Sequence, residues 1–170
     1  TNANKNPVVY QNTTTTAAAG GPVLYRIMTQ VKTQIVALSL SGISSSNVLI
    51  KWLPRQFDTT TDPVPCVIIS PAPMPETSPS FLTATDHVGY PVLISVIDKQ
   101  NQDYTGNLSR NLLWREKIMR EFRFQPLDGV AEAVHCIIEP KAIIDPVAFN
   151  KQLEVGSLVA RFISRETRGN

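Results

Sequence analysis

Few side chains in this sequence are of a type and spacing that could do chemistry. The candidates for binding a metal ion are two histidines, His87 and His135, and two cysteines, Cys66 and Cys136. Because His135 and Cys136 are adjacent, on a strand they point to opposite faces and do not easily share one ion. We therefore expect no metal site and no disulfide framework, but two buried thiols in a reducing compartment.

Catalytic motifs are also absent from the sequence. It contains no Gly-rich phosphate loop, no GxGxxG, no HExxH, no CxxC and no GxSxG pattern. Ser157 follows Gly156 but lacks the second glycine of a nucleophile elbow. Paired carboxylates for acid–base catalysis do not occur as a local motif either. We therefore predict that the protein is not an enzyme and needs no cofactor.

The composition indicates one globular domain with a weakly charged surface. The 170 residues are enough for one domain with a real core and short for two. Charged residues make up 18%, against about 25% in a typical globular protein. The net charge of +2 is too balanced for a nucleic-acid or membrane-surface binder. No apolar run approaches the roughly 20 residues of a membrane span, so we expect no membrane partner.

The first 21 residues differ in composition from the rest of the chain. They include a run of four threonines and a run of three alanines. Such a segment buries too little apolar area to offset the entropy that is lost when it becomes ordered. We predict an N-terminal arm over residues 1–21, held by a neighbouring subunit, and a single α+β domain over residues 22–170. The alternative is that the arm packs on its own domain.

The hydrophobic pattern predicts two main helices and five strands. The helices span residues 22–40 and 108–123, where apolar residues recur every three or four positions. The strands span residues 48–53, 66–70, 87–98, 133–139 and 153–164, and a minor helix spans residues 145–152. The order α-β-β-β-α-β-β predicts an α+β fold in which both main helices pack on one face of a small, mostly antiparallel sheet.

Prolines and apolar faces add detail to these elements. Seven prolines between residues 54 and 79 exclude a continuous helix and predict loops on either side of the second strand. Pro91 lies within the third strand, which favours an edge position or a bulge. The last strand is apolar on both faces, which predicts that both of its faces are covered.

The second main helix carries the residues that we single out for an interface. Its predicted apolar stripe contains Leu108, Leu112, Met119 and Phe122, with Arg115 in the middle of the arc. We expect Arg115 to be partly buried and paired with a carboxylate. Asp98 of the same chain and an acid of a neighbouring subunit are the two possible partners, and the alternative is that Arg115 reaches water.

The same helix has a basic far side. Arg110, Lys117 and Arg120 cluster there, and Glu116 forms a favourable i,i+4 pair with Arg120. Residues 58–103 carry six acids and one base, whereas residues 104–125 carry five bases and two acids. Segments of opposite charge could meet head-to-tail between identical subunits, as the contacts of a ring require. The alternative is that these charges are simply solvated.

One segment carries a resemblance to a known family. It contains HVGYPVLISVIDKQNQD, a strand that ends in Ile-Asp and a polar loop, and then NLSRNLLWREKIMREF, a helix with Leu-Leu-Trp-Arg-Glu. This segment, residues 87–124, resembles the tail-terminator and tail-completion (neck) proteins of tailed bacteriophages. At the level of element order the resemblance extends over residues 22–165.

The resemblance implies a structural virion protein, located in the tail or neck and assembled in the host cytoplasm. Such a protein forms a homo-oligomeric ring, commonly a hexamer, that caps the tail tube and joins it to the head–tail connector. DNA passes through the lumen of such a ring without specific binding. If so, the proline-rich segment at 54–79 is an exposed loop that contacts a neighbouring ring or the tail tube, or else a plain surface connection.

Other functions stay open at this point. The chain could be a different virion part, such as a head–tail connector, a sheath-associated protein or a capsid decoration protein. A small nucleic-acid-binding module is a further alternative. An RNA-binding sheet displays interleaved aromatic and basic residues, whereas Trp52, Tyr90 and Phe162 stand singly on different elements. That distribution disfavours the nucleic-acid alternative.

Overall fold

The computed structural model describes residues 21–52, 61–73, 85–99, 104–139 and 153–167. The helices are α1 (Val23–Ala37) and α2 (Tyr104–Phe122). The strands are β1 (Val48–Ile50), β2 (Cys66–Pro71), β3 (Thr85–Lys99), β4 (Ala133–Glu139) and β5 (Leu153–Thr167). The α+β class and the order α-β-β-β-α-β-β are confirmed, with a short 3₁₀ turn, Ser45–Asn47, added before β1.

Three predictions concern parts of the chain that lie outside the described residues. They are the N-terminal arm up to residue 20, the minor helix at 145–152, and most of the proline-rich segment. Of the proline-rich segment, residues 61–73 are described, and they contain β2. The second predicted strand therefore stands where the sequence indicated it.

The described strands form one mixed sheet in the order β1-β2-β3-β5-β4. β1 is parallel to β2, and every other pairing is antiparallel. The longest ladder joins β3 to β5 and runs from the pair Thr85 and Thr167 to the pair Lys99 and Leu153. Two long strands therefore form the middle of the sheet, and the outermost described strands are β1 and β4.

Pro91 lies in a central strand, so the predicted edge position is wrong, and the β3–β5 ladder shows no bulge there. Its C=O accepts a hydrogen bond from the N–H of Ala72 at 2.9 Å. In an antiparallel ladder, the N–H of residue 91 would donate a second hydrogen bond to the C=O of Ala72, but proline has no N–H. β2 ends at Pro71, just before this position, so the missing N–H coincides with the end of a ladder.

Both helices pack on the same face of the sheet. Alternate residues of the central strands, such as Ile69, Ile94 and Phe162, form one buried cluster with residues of α1 and α2. Phe122 of α2 meets Phe162 of β5 edge to face, with ring centroids 5.8 Å apart. Each fully buried large apolar side chain contributes about 1.5–3 kcal/mol to folding, so this face is the main hydrophobic core.

The opposite face of the sheet is also buried along its central strands. Ile68, Ile97 and Val159 are buried there, although both described helices lie on the other face. The hydroxyls of Ser95 and Ser157 are hydrogen-bonded to each other across β3 and β5 at 2.9 Å. The centre of β5 is therefore buried on both faces, which confirms the prediction from its apolar pattern.

Candidate interface site on helix α2 and the sheet edges

The start of α2 is joined to the end of β3 by a charged pair. Asp98 is 2% exposed, and its Oδ2 accepts hydrogen bonds from Nη2 of Arg110 at 2.5 Å and from Nε at 3.2 Å. Its Oδ1 accepts a third from the backbone N–H of Lys99 at 2.9 Å. A buried carboxylate with three donors is well satisfied, so this pair fixes where α2 meets the sheet.

Arg110 also lies over an aromatic ring. Its guanidinium carbon is 5.0 Å from the ring centroid of Trp114, one turn further along α2. Trp114 is 1% exposed and is among the largest fully buried side chains of the described residues. Asp98, Arg110 and Trp114 therefore form one packed unit, in which the cation has a carboxylate at its tip and an indole against its plane.

Asp98 is one of the two partners that the sequence suggested for Arg115, but the arginine that donates to it in the structure is Arg110. Because a helix rises 1.5 Å per residue, Arg115 lies about 7.5 Å further along the axis than Arg110. α2 runs back over the sheet after β3, so its first turns are the ones that lie beside Asp98. Arg115 is half-buried, as predicted, and its role in a subunit contact stays a prediction.

The buried stripe of α2 is rotated relative to the predicted one. Leu108 and Leu112 are exposed, whereas Trp114 and Ile118 are buried, together with Phe122. At about 100° per residue, the apolar arc of this helix is wider than the area that the sheet covers. Leu108 and Leu112 are therefore left as an exposed flank.

The basic far side of α2 is only partly as predicted. Lys117 and Arg120 are exposed, and Arg120 donates to Glu116 at 2.5 Å, which confirms the predicted i,i+4 pair. An exposed pair of this kind contributes about 0.2–0.5 kcal/mol. Arg110 does not belong to this group, since it lies against Asp98 and Trp114. An interface role for Lys117 and Arg120 stays a prediction.

A second ion pair joins α1 to the segment before β4. Arg26 donates to both carboxylate oxygens of Glu132, at 2.9 and 3.3 Å. The hydrogen bond from Arg26 is the main cause that lowers the pKa of Glu132 below its ordinary value. Gly129 lies on the same segment at φ +80°, and a Cβ there would come within 2.9 Å of Gln30. The positive φ therefore favours glycine at position 129, whereas the amide end of the flexible Gln30 side chain could move aside.

The end of α2 differs from its start. Phe124, two residues beyond the helix, has φ +60° and is 59% exposed. Its N–H donates to the C=O of Cys136 in β4 at 2.9 Å, and its ring is stacked on His135 with centroids 5.7 Å apart. The guanidinium carbon of Arg123 lies 5.0 Å from the same ring. An exposed stack of cation, phenyl and imidazole therefore stands at the β4 edge.

The candidate metal ligands are not brought together. Cys66 and Cys136 are free, fully buried thiols in different clusters on opposite faces of the sheet. Burial raises the pKa of each thiol to about 12, so neither is a thiolate at neutral pH. In the part of the chain that the structure describes, no three His, Cys, Asp or Glu residues converge as metal ligands. Neither described helix is long and apolar enough to cross a membrane.

Sequence reasoning missed the aromatic residues at the two sheet edges. Phe124 follows the helix in the sequence Arg-Phe-Gln-Pro, with no glycine to signal a left-handed residue. Trp52 belongs to the predicted first strand, yet it lies beyond the end of β1 and is 71% exposed. Comparison with known proteins adds no further assignment, because the chain matches no family model and no curated protein.

Proposed function

We propose that this chain is a structural protein of a bacteriophage virion, a tail-terminator or neck protein. Its subunits form a ring, most simply a hexamer, that caps the tail tube and joins it to the head connector. The proposal starts from the resemblance of residues 87–124 and of the element order to those of this class. The observation that carries it is that this segment is one structural unit, β3 followed by α2, joined by the pair Asp98–Arg110.

The described surface also supports a structural role. A ring subunit must present different surfaces to its two neighbours, since head-to-tail contacts are heterologous. Exposed apolar side chains stand at separate places on the described surface, at Trp52, at Leu112 and Leu113, and at Phe124. These places can serve as contacts with other subunits, and none of them requires a cofactor.

The first test is the mass of the purified full chain in solution. Native mass spectrometry and sedimentation velocity, over a concentration range up to about 100 μM, should show a closed oligomer in equilibrium with the 18.8 kDa monomer. Negative-stain images should show rings with a central lumen. A protein that stays monomeric over the whole range would contradict the ring.

The second test addresses tail termination itself. The tail tube protein encoded in the same genome is allowed to polymerise with and without this chain. We expect shorter tubes in its presence, and gold-labelled chain at a single end of each tube. Labelling along the whole tube, or tubes of unchanged length, would contradict a terminator and favour another virion part.

A further inference from the structure

The two outermost described strands, which we call the edges of the described sheet, have different exposed aromatic groups beside them. Trp52 comes two residues after β1 and is 71% exposed. Phe124 is bonded to β4 and is 59% exposed. β1 and β4 are the outermost described strands, and four strand spacings of about 4.8 Å place them about 19 Å apart. One subunit therefore presents an indole on one side and a phenyl–guanidinium stack on the other.

We propose that the Trp52 edge of one copy docks on the Phe124 edge of the next copy, so that successive copies join head-to-tail. This inference rests on the proposed ring and names the contact that builds it. The occupant of each edge is thus a second copy of this chain.

Phe124 has a backbone conformation that a residue other than glycine does not favour, and a hydrogen bond to Cys136 holds it there. A residue other than glycine loses roughly 1–2 kcal/mol in the left-handed region, and helix ends usually place Gly or Asn there. Phe124 stands at φ +60°, and most of its side chain is exposed, so little burial offsets that loss. Val134 and Ile137 of β4 are exposed as well. A strained, exposed aromatic residue that is bonded to a strand with exposed apolar side chains points to a contact surface.

The chemistry of the two edges is complementary. Arg123 covers the ring of Phe124 and is itself exposed, so its guanidinium can receive a second aromatic ring. Tryptophan is the best aromatic partner for such a cation. The lysine next to Trp52, Lys51, donates to Asp62, so its charge is neutralised within the subunit. Lys51 therefore does not strongly repel the guanidinium of Arg123 when another copy brings Arg123 to Trp52.

The difference between the edges sets the symmetry of the contact. Two different surfaces that fit each other make a heterologous contact, which closes into a ring when the rotation between copies allows it. Tryptophan and arginine are also enriched among residues that dominate binding energy. We expect truncation of Trp52 or Phe124 to weaken association roughly 30-fold or more.

The test uses the full chain with Trp52→Ala or with Phe124→Asn, measured by native mass spectrometry and sedimentation velocity. Asparagine tolerates positive φ, so Phe124→Asn removes the ring without forcing the backbone. Each variant alone should be monomeric where the wild type is oligomeric. Their equimolar mixture should form a heterodimer and nothing larger, because only one intact Trp52 edge and one intact Phe124 edge remain.

Tyr25→Ala is the matched control, since Tyr25 is an aromatic residue that is 54% exposed and belongs to α1 rather than to either outermost strand. It should assemble like the wild type, and thermal unfolding should show all variants folded. Rings that persist in both edge variants would overturn this inference and leave the proposed function standing. A dimer of Trp52→Ala alone would overturn it in favour of a two-fold contact. Head-to-tail rings that do not cap tail tubes would instead overturn the proposed function and leave this contact in place.

Discussion

Each end of helix α2 has an arginine beside an aromatic ring, but the ring is buried at the start of the helix and exposed at its end. At its start, Arg110 is bonded to a buried carboxylate and stacked on a buried indole. At its end, Arg123 is stacked on an exposed phenyl ring that is held at positive φ. The same pair of residue types, an arginine and an aromatic, is thus buried in the fold at one end and exposed at the other. Burial of the partner, rather than residue type, separates the two roles.

The largest expected effect comes from the buried ring at the start of α2. Trp114→Ala should lower the free energy of unfolding by about 4 kcal/mol, since it leaves a large cavity between α2 and the sheet. Chemical denaturation followed by far-UV circular dichroism measures this. Trp114→Phe is the control and should cost far less, because Nε1 of Trp114 donates no hydrogen bond within the described part of the chain. Equal losses for both variants would contradict a packing role.

The charged pair gives the next largest effect. Asp98→Asn should lower the free energy of unfolding by about 2–3 kcal/mol, below the full cost of breaking a buried pair because Arg110 is 38% exposed. Glu116→Gln breaks the exposed pair with Arg120 and should change the free energy of unfolding by no more than about 0.5 kcal/mol. A similar loss in both variants would mean that burial of the carboxylate does not matter.

The end of α2 should respond with the opposite sign. Phe124→Asn should raise the free energy of unfolding of the monomer by about 0.5 kcal/mol, because relief of the left-handed strain exceeds the lost exposed stacking. The measurement is denaturation at a concentration where the wild type is monomeric. A loss of more than about 1 kcal/mol would place Phe124 in the packing of the subunit and erase the contrast between the two ends.

A dependence on pH of similarly small size is expected from the pair that joins α1 to the segment before β4. The pKa of Glu132 is lowered in the folded state below its ordinary value of 4.5. The pair with Arg26 therefore stabilises the protein at pH values above 4.5, and this stabilisation is lost as the pH falls through the folded pKa. Glu132→Gln should remove under about 1 kcal/mol at neutral pH. Below pH 4.5 the difference between variant and wild type should shrink, and a difference that is constant down to pH 2.5 would rule out this account.

The fold was largely predictable because its elements carry strong patterns. The order of helices and strands followed from apolar periodicity and from the prolines that end strands. The rotation of α2 did not, because Leu108 and Leu112 are as apolar as Ile118, and only the position of the sheet decides which of them is covered. Which arginine of α2 pairs with Asp98 depends on which turn of the helix lies beside the end of β3, and the sequence does not specify that turn.

The aromatic residues at the edges were harder to predict for a different reason. An exposed Trp52 and an exposed Phe124 have the same sequence signature as core residues, since aromatic side chains in strands and at helix ends are mostly buried. The left-handed conformation of Phe124 carries no glycine or asparagine to announce it. Residues whose exposure or backbone conformation goes against local preference are the ones that pattern reasoning misses.

The place of β5 in the sheet has a consequence for how the chain is made. β5 lies between β3 and β4, yet it follows both of them in the chain. Its ladder with β3 pairs Thr85 with Thr167, residues that are far apart in sequence. During synthesis, the edges of β3 and β4 that pair with β5 therefore stay unpaired until β5 has left the ribosome. Folding should be slow for a domain of this size, and chaperone binding should be strongest in the interval before β5 emerges.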